Sequence, residues 1–203
     1  LTIEANRFLV RLKECKKIAA VKKPKQLELA VKYKDRLSGV FILTGNINLI
    51  KKYVELLRKE GLPTFVHIEK IKGLSNDKDG LDYIESFVKP TGIVTTKPSL
   101  IAAAKKRKLL TVQRIFMIDT EIIENLPELL EKNRPDIIEI MPARIPEIIQ
   151  EIKEYTDNIP LITGGLLTEK QHAIKAIEHG AVAVSTSNVQ VWKMDLTREL
   201  QFL

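Results

Sequence analysis

An α/β chain that closes into a single TIM-barrel-like (βα)8 domain over residues 1–203 is predicted by three features of the sequence. Short apolar runs alternate with amphipathic helical stretches along the whole length, and strictly alternating βα units build a parallel sheet with helices outside. The repeat is about 20–30 residues, the size of one βαβ unit. The stretch 161–188, LITGGLLTEKQHAIKAIEHGAVAVSTSN, ends two successive strands on groups suited to an anion. At 203 residues the chain is lean beside a typical barrel of about 250. A compact barrel with short loops is therefore expected, incomplete if one strand is irregular or missing. An open doubly wound sheet is the structural rival.

The first strand is the patch Ile18-Ala19-Ala20-Val21, and Pro24 suits the first turn of a helix with Leu27, Ala30 and Val31 on one face. Ser38-Gly39 ends that helix before the buried run Val40-Phe41-Ile42-Leu43. Leu49, Ile50, Tyr53, Val54 and Leu57 then recur at helical spacing as far as Gly61. A third strand, 64–69, leads into a polar loop from Gly73 to Gly80. The helix carrying Tyr83, Ile84, Phe87 and Val88 stops at Pro90, 92–96 is the fourth strand, and Pro98 opens the next helix with Leu100, Ile101 and Ala104. The fifth strand is 109–116, and 119–133 is helical with a break expected at Pro127. Strand six, 136–140, precedes the helical face Ile145, Ile148, Ile149 and Ile152. Strand seven is 161–163. Thr168 followed by Gln171 reads as a capping box, and 181–185 is the last strand.

A hydrophobic content of 44% supports one well-packed domain and is short for two. No apolar run approaches the length that crosses a bilayer, so no membrane role is expected. Residues 1–5 lack the basic and then apolar signature of a signal peptide. Cys15 is the single cysteine, which excludes an intramolecular disulfide and fits a reducing, cytoplasmic setting. The net charge of +7 permits a polyanionic partner where it is clustered. Lys105-Lys106-Arg107-Lys108 and the group Lys22, Lys23 and Lys25 are such clusters, although a solvated helix end explains any one of them.

Barrel strands present functional groups at their C-terminal ends. There the sequence offers His67 and Glu69, then Thr95, Thr96 and Lys97, then Gln113 and Arg114, then Glu139. The last two strands add Gly164-Gly165 and Ser185-Thr186-Ser187-Asn188. A glycine pair lets backbone N–H groups approach an anion, and hydroxyls and amides supply further donors. The loops after strands seven and eight of such barrels commonly hold phosphate. Polar groups in a dry core are costly without partners, so their convergence points to a polar, phosphate-receiving pocket. Pairing of Glu69 or Glu139 with Lys97 or Arg114 is the plainer alternative. No metal-ligating set, Ser-His-Asp order, dinucleotide fingerprint or P-loop is present, and no catalytic residue is assigned. The rival class is a small barrel enzyme, an isomerase or lyase of a phosphorylated sugar or polyol, working through Glu69, His67 or Glu139.

His67 after a strand, Lys89-Pro90-Thr91-Gly92-Ile93-Val94-Thr95-Thr96, Gln113-Arg114, Gly164-Gly165-Leu166, Thr186-Ser187-Asn188 and Trp192-Lys193 together resemble the glycerol uptake operon antiterminator regulatory protein (GlpP) family. The likeness runs from about Ile18 to Lys193. It implies a TIM-barrel-like cytoplasmic regulator without a cofactor, responsive to glycerol 3-phosphate as effector. The regulator acts on the leader mRNA of glycerol-utilisation genes. The resemblance implies phosphate near Gly164, Gly165, Ser185, Thr186, Ser187 and Asn188, with Arg114 and His67 on the far side of the mouth and Glu69, Thr96 and Glu139 as further ligand candidates. RNA contacts are expected from Lys105, Lys106, Arg107, Lys108, Lys22, Lys23 and Lys25. The chain departs from the family pattern at Ala143, where the family carries a glycine. A homo-oligomer is compatible with the sequence.

Overall fold

Eight short strands pair in parallel, each with its neighbours in sequence, and the last pairs with the first. They are β1 (Lys17–Val21), β2 (Gly39–Ile42), β3 (Thr64–His67), β4 (Gly92–Thr95), β5 (Leu110–Phe116), β6 (Ile137–Met141), β7 (Leu161–Gly164) and β8 (Ala183–Thr186). Lys17 lies opposite Val184, and Ile18 opposite Ser185. The computed structural model describes residues 3–156 and 158–201. The barrel is thus complete, and the expectation of a missing strand is corrected. The chain is lean because most of its strands are only four or five residues long.

The helices are α1 (Ile3–Cys15), α2 (Gln26–Lys32), α3 (Ile50–Lys59), α4 (Lys78–Tyr83), α5 (Ser99–Lys106), α6 (Thr120–Asn133), α7 (Pro146–Lys153), α8 (Lys170–Glu178), α9 (Val189–Lys193) and α10 (Leu196–Gln201). A π-helical turn, Ile84–Val88, extends α4. Alternation along each strand divides its side chains between two layers. Ala19, Val21, Val40, Ile42, Val66 and Ile93 face outward and pack with Leu27, Val54 and Leu57 of the helices. Ile138, Ile140, Leu161 and Val184 do the same on the other side with Leu126, Ile149 and Ala173. Ile18, Phe41, Phe65, Val94, Val112, Ile137, Ile162 and Ala183 fill the barrel interior.

The N-terminal end of that interior is plugged by α1. Ala5, Phe8 and Leu12 recur at helical spacing and join the interior cluster, and the Phe8 ring lies 4.5 Å from that of Phe65. No strand flanks α1 on its N-terminal side, so the βα pattern gave no reason to place it. At the other end of the chain, α9 and α10 add a second unanticipated cover. Buried Lys17 points outward from β1 and donates from Nζ to Trp192 O at 3.3 Å and to Met194 O. Burial lowers its ammonium to about 8. Trp192 is fully buried, and its Nε1 donates to Thr186 O at 2.7 Å.

Three local expectations are corrected. The third strand stops at His67, and a 3-10 turn at Ile68–Lys70 swings Glu69 across to β4. The α6 helix runs through Pro127 without a break. Asp119 caps its start by accepting from Ile122 N, and buried Leu126 and Leu130 hold the turns either side of the missing donor. The capping box of α8 uses Glu169 and His172 instead of Thr168 and Gln171. Leu166 adopts a positive φ of 57° and its carbonyl accepts from Thr168 N, so the loop runs one residue further. The eighth strand also starts later, at Ala183, because Ala181 N still closes the end of α8 on Ala176 O.

Candidate ligand site at the barrel mouth

One pleat above the apolar interior, the same inward faces turn polar. Two residues beyond Phe65, Val112, Ile137, Ile162 and Ala183 come His67, Arg114, Glu139, Gly164 and Ser185. Period-two alternation places all five toward the C-terminal mouth. Glu139 is sealed from solvent and carries the centre of this layer. Arg114 Nε donates to its Oε2 at 2.7 Å, and the Ser185 hydroxyl donates to its Oε1. A buried carboxylate needs such partners to stay charged. The two terminal nitrogens of Arg114 make no hydrogen bond among the described residues, and the guanidinium lines the cavity above.

That cavity holds about 370 Å³ and is walled by Ala20, Lys22, Leu43, Lys70, Arg114, Phe116, Met141, the loop 165–168 and Ser185, Thr186 and Ser187. Three cations and three hydroxyl residues thus meet at one opening, a volume in the range that small ligands occupy. Gly165 has φ of 77°, a conformation glycine adopts without penalty, and it turns the chain over the mouth. Ala143 N donates to Gly164 O at 2.7 Å, which fixes the β7 end against the loop after β6. A somewhat larger cavity of about 450 Å³ lies between α1 and the start of β7. Its walls are mainly apolar and it sits at the end of the barrel away from the polar layer.

The structure sorts the predicted ligand residues into three groups. Arg114, Gly165, Ser185, Thr186 and Ser187 line the mouth. Glu139 and Gly164 lie beneath it and hold Arg114 and Ser185 in place. His67, Glu69, Thr96 and Asn188 are engaged elsewhere. Asn188 caps α9 through Gln190 N and donates to Thr168 O at 3.0 Å, stapling the last two loops together. His67 Nδ1 lies 2.9 Å from Glu69 Oε2, and each atom is the other's only partner. Glu69 Oε1 accepts from Thr95 Oγ1 at 2.6 Å, Thr96 N at 2.8 Å and Thr96 Oγ1 at 3.1 Å. The expected pairing of Glu69 with Lys97 is replaced by this network, since Lys97 Nζ donates to Asn76 O instead.

Burial pushes the Glu69 carboxyl up, but the His67 contact, the Thr95 hydroxyl and backbone N–H groups outweigh it and bring it down to about 2. A depressed carboxylate contributes stability above its ordinary value of 4.5, and that stability is lost as pH falls toward 2. The contribution is on the order of 3 kcal/mol. Denaturant unfolding at several pH values across this window should therefore show a slope that Glu69→Gln flattens. An unchanged slope in the variant would place the acid sensitivity elsewhere.

Lys70, Phe116 and the apolar loop residues at the mouth were not anticipated. Lys70 lies one residue beyond the last predicted residue of the third strand, so only knowledge of the 3-10 turn brings it to the opening. Lys22, expected in an RNA cluster, also lines the mouth. The two basic clusters lie at opposite ends of the barrel. Lys22, Lys23 and Lys25 follow β1 on the mouth side, while Lys105 to Lys108 follow the C-terminal end of α5 on the far side. Within the second cluster, Arg107 Nη2 pairs with Asp82 at 2.6 Å and Lys105 with Asp136 at 3.3 Å. Lys106 and Lys108 remain exposed there.

The fold and site define a class: a (βα)8 barrel with a cation-lined, hydroxyl-rich cavity at the C-terminal ends of its strands. The chain belongs to the glycerol-3-phosphate responsive antiterminator family, whose model matches residues 17–192. It is 32% identical over 177 residues to an uncharacterised protein of Escherichia coli, covering 87% of this chain and 91% of that one. A glycerol uptake operon antiterminator regulatory protein from Listeria monocytogenes superposes with a TM-score of 0.81 at 32% identity, over 87% of this chain and 94% of that one. An antiterminator-related protein from Thermotoga maritima gives 0.76 at 26% identity, over 88% and 98%. A designated aldolase, at 15% identity and a TM-score of 0.71 over 94% and 99%, shares the barrel fold alone. Among the described residues, no helix is long and apolar enough to cross a membrane.

Proposed function

We propose that the mouth cavity binds sn-glycerol 3-phosphate and that the protein, in its ligand-bound form, acts on the leader RNA of glycerol-utilisation genes in the cytoplasm. The observation that carries this reading is the convergence of Lys22, Lys70 and Arg114 with Gly165 and Ser185 to Ser187 on one small cavity. Cations and donors of this kind suit a phosphate, and charge-assisted hydrogen bonds are the strongest available to them. The family membership supplies the rest of the reading. Turnover is not expected. Both carboxylates near the mouth are engaged, Glu139 by Arg114 and Ser185 and Glu69 by His67 and the threonines. Lys97, the Schiff-base candidate, is tied to Asn76 O outside the cavity.

Calorimetric titration with glycerol 3-phosphate, glycerol and inorganic phosphate tests the ligand. Glycerol 3-phosphate should bind and raise thermal stability, since it binds only the folded chain. Lys70→Met should weaken binding by about tenfold, the loss of one charge-assisted contact of roughly 1.5 kcal/mol. Binding of another phosphate ester in preference to glycerol 3-phosphate would reject the assigned effector. Product formation from it would return the chain to the enzyme class.

A further inference from the structure

Outside the barrel, between the start of α5 and the length of α6, lies an open groove of about 380 Å³. Its walls are Pro98, Ile115, Ile118, Ile122, Leu126 and Leu129, and Ile118 is 79% exposed. Gln113 forms part of its floor. The Gln113 amide nitrogen faces three backbone carbonyls, Thr96 O at 3.2 Å, Arg114 O at 3.3 Å and Thr95 O at 3.5 Å. That orientation leaves Oε1 on the other side, buried and without any donor. A buried acceptor left unpaired is costly, so the groove asks for an N–H or O–H group from outside.

The surroundings narrow the choice. Asp119 and Glu121 also border the groove, which disfavours a phosphate within it and favours a neutral edge rich in N–H donors. Phe116 and Arg114 line both this groove and the mouth cavity, so the two are contiguous. Phe116, at the end of β5, is 46% exposed and offers an aromatic face where they meet. On the same end of the barrel stand exposed Lys22, Lys23 and Lys25, with Lys70 at the mouth. A flat, apolar, N–H-bearing group next to an anionic backbone is what a single-stranded nucleic acid carries.

We infer that the groove between α5 and α6 receives an unstacked base of single-stranded RNA, held on its apolar walls and Phe116 with an N–H directed at Gln113 Oε1, while neighbouring phosphates lie along the rim lysines. This builds on the RNA-directed reading above and adds the surface that makes the contact. It also assigns the contact to the mouth end of the barrel and not to the cluster 105–108. RNA and the small ligand thereby share Arg114 and Phe116 as a common wall, a physical route by which one alters the affinity for the other.

The test uses fluorescence anisotropy with a short single-stranded oligoribonucleotide and its abasic counterpart, on the parent, Ile118→Asp and Gln113→Met. Melting curves confirm that each variant is folded, and calorimetry with glycerol 3-phosphate is run in parallel. Each variant should weaken the intact oligonucleotide about tenfold or more, the usual worth of one bound base. Neither should alter binding of the abasic strand. Parent-like affinity in both variants, equal weakening of intact and abasic strands, or no binding of the oligoribonucleotide at all would overturn the assignment. So would a parent dimer in sedimentation that Ile118→Asp separates with RNA binding untouched, since the groove would then hold a second copy. Groove-dependent RNA binding without any response to glycerol 3-phosphate would sustain this inference and sink the proposed effector.

Discussion

Replacing Arg114 by methionine is expected to cost about 3–5 kcal/mol of folding stability, the usual penalty for leaving one member of a buried ion pair behind. Glu139 has no exposed side-chain surface, and Arg114 only 4%, so water cannot take over the guanidinium's role. Ser185 would remain the one donor to the carboxylate. The double variant Arg114→Met with Glu139→Gln should recover most of the loss, because the buried site is then neutral. Denaturant unfolding of the two single variants and the double one measures the coupling directly. A loss below about 1 kcal/mol for Arg114→Met would mean the pair is solvated, as exposed pairs are. The same variant should also lose binding of glycerol 3-phosphate, since the guanidinium lines the cavity.

The second large effect is expected at Gly164. A Cβ there would collide with Ser185 Oγ, stand 2.9 Å from Ser185 O and lie 3.1 Å from Glu139 Oε1. Gly164→Ala should therefore destabilise by about 1–3 kcal/mol through overpacking and separate Ser185 from Glu139. Adding Ser185→Gly should recover part of this by removing the hydroxyl. Gly165→Ala provides the contrast, because its Cβ would meet Met141 only at 3.7 Å and the cost lies in the positive φ. Ser185→Gly should do nothing for it. Equal rescue of both alanine variants would show that close packing at Gly164 is not the cause.

The glycine pair illustrates how far the sequence could be read. Gly164-Gly165 was legible as a special turn at a strand end, and the turn is there. Its division of labour was not legible, because only the register of β7 against β8 shows that Gly164 faces Ser185. Arg114, Glu139 and Ser185 were visible as strand-end polar residues, since period two needs nothing but strand positions. His67 and Glu69 followed the same rule, yet a 3-10 turn brought Glu69 onto Thr95 and Thr96 and drew the pair into a network of its own. Lys70 was missed for the same reason. The strand and helix order was readable throughout because each unit carries its own apolar run and stop signal. The plug α1 lacked that context, and Pro127 was misjudged because local propensity yields to packing on both sides of it.

Barrel closure by β1 and β8 has a consequence for how the chain is made. Lys17 and Trp192 are 175 residues apart and yet bonded. On a ribosome, β1 emerges early and must wait with one edge unpaired until almost the whole chain has followed. Local βα units can form in the meantime, since each is short and self-contained. The last strand and the α9 turn arrive together, bringing the pairing edge, the buried indole and the two carbonyls that take up the Lys17 ammonium. Truncations that remove only the final 20 or so residues should thus leave long-lived, chaperone-dependent nascent chains, although most of the sheet is already present.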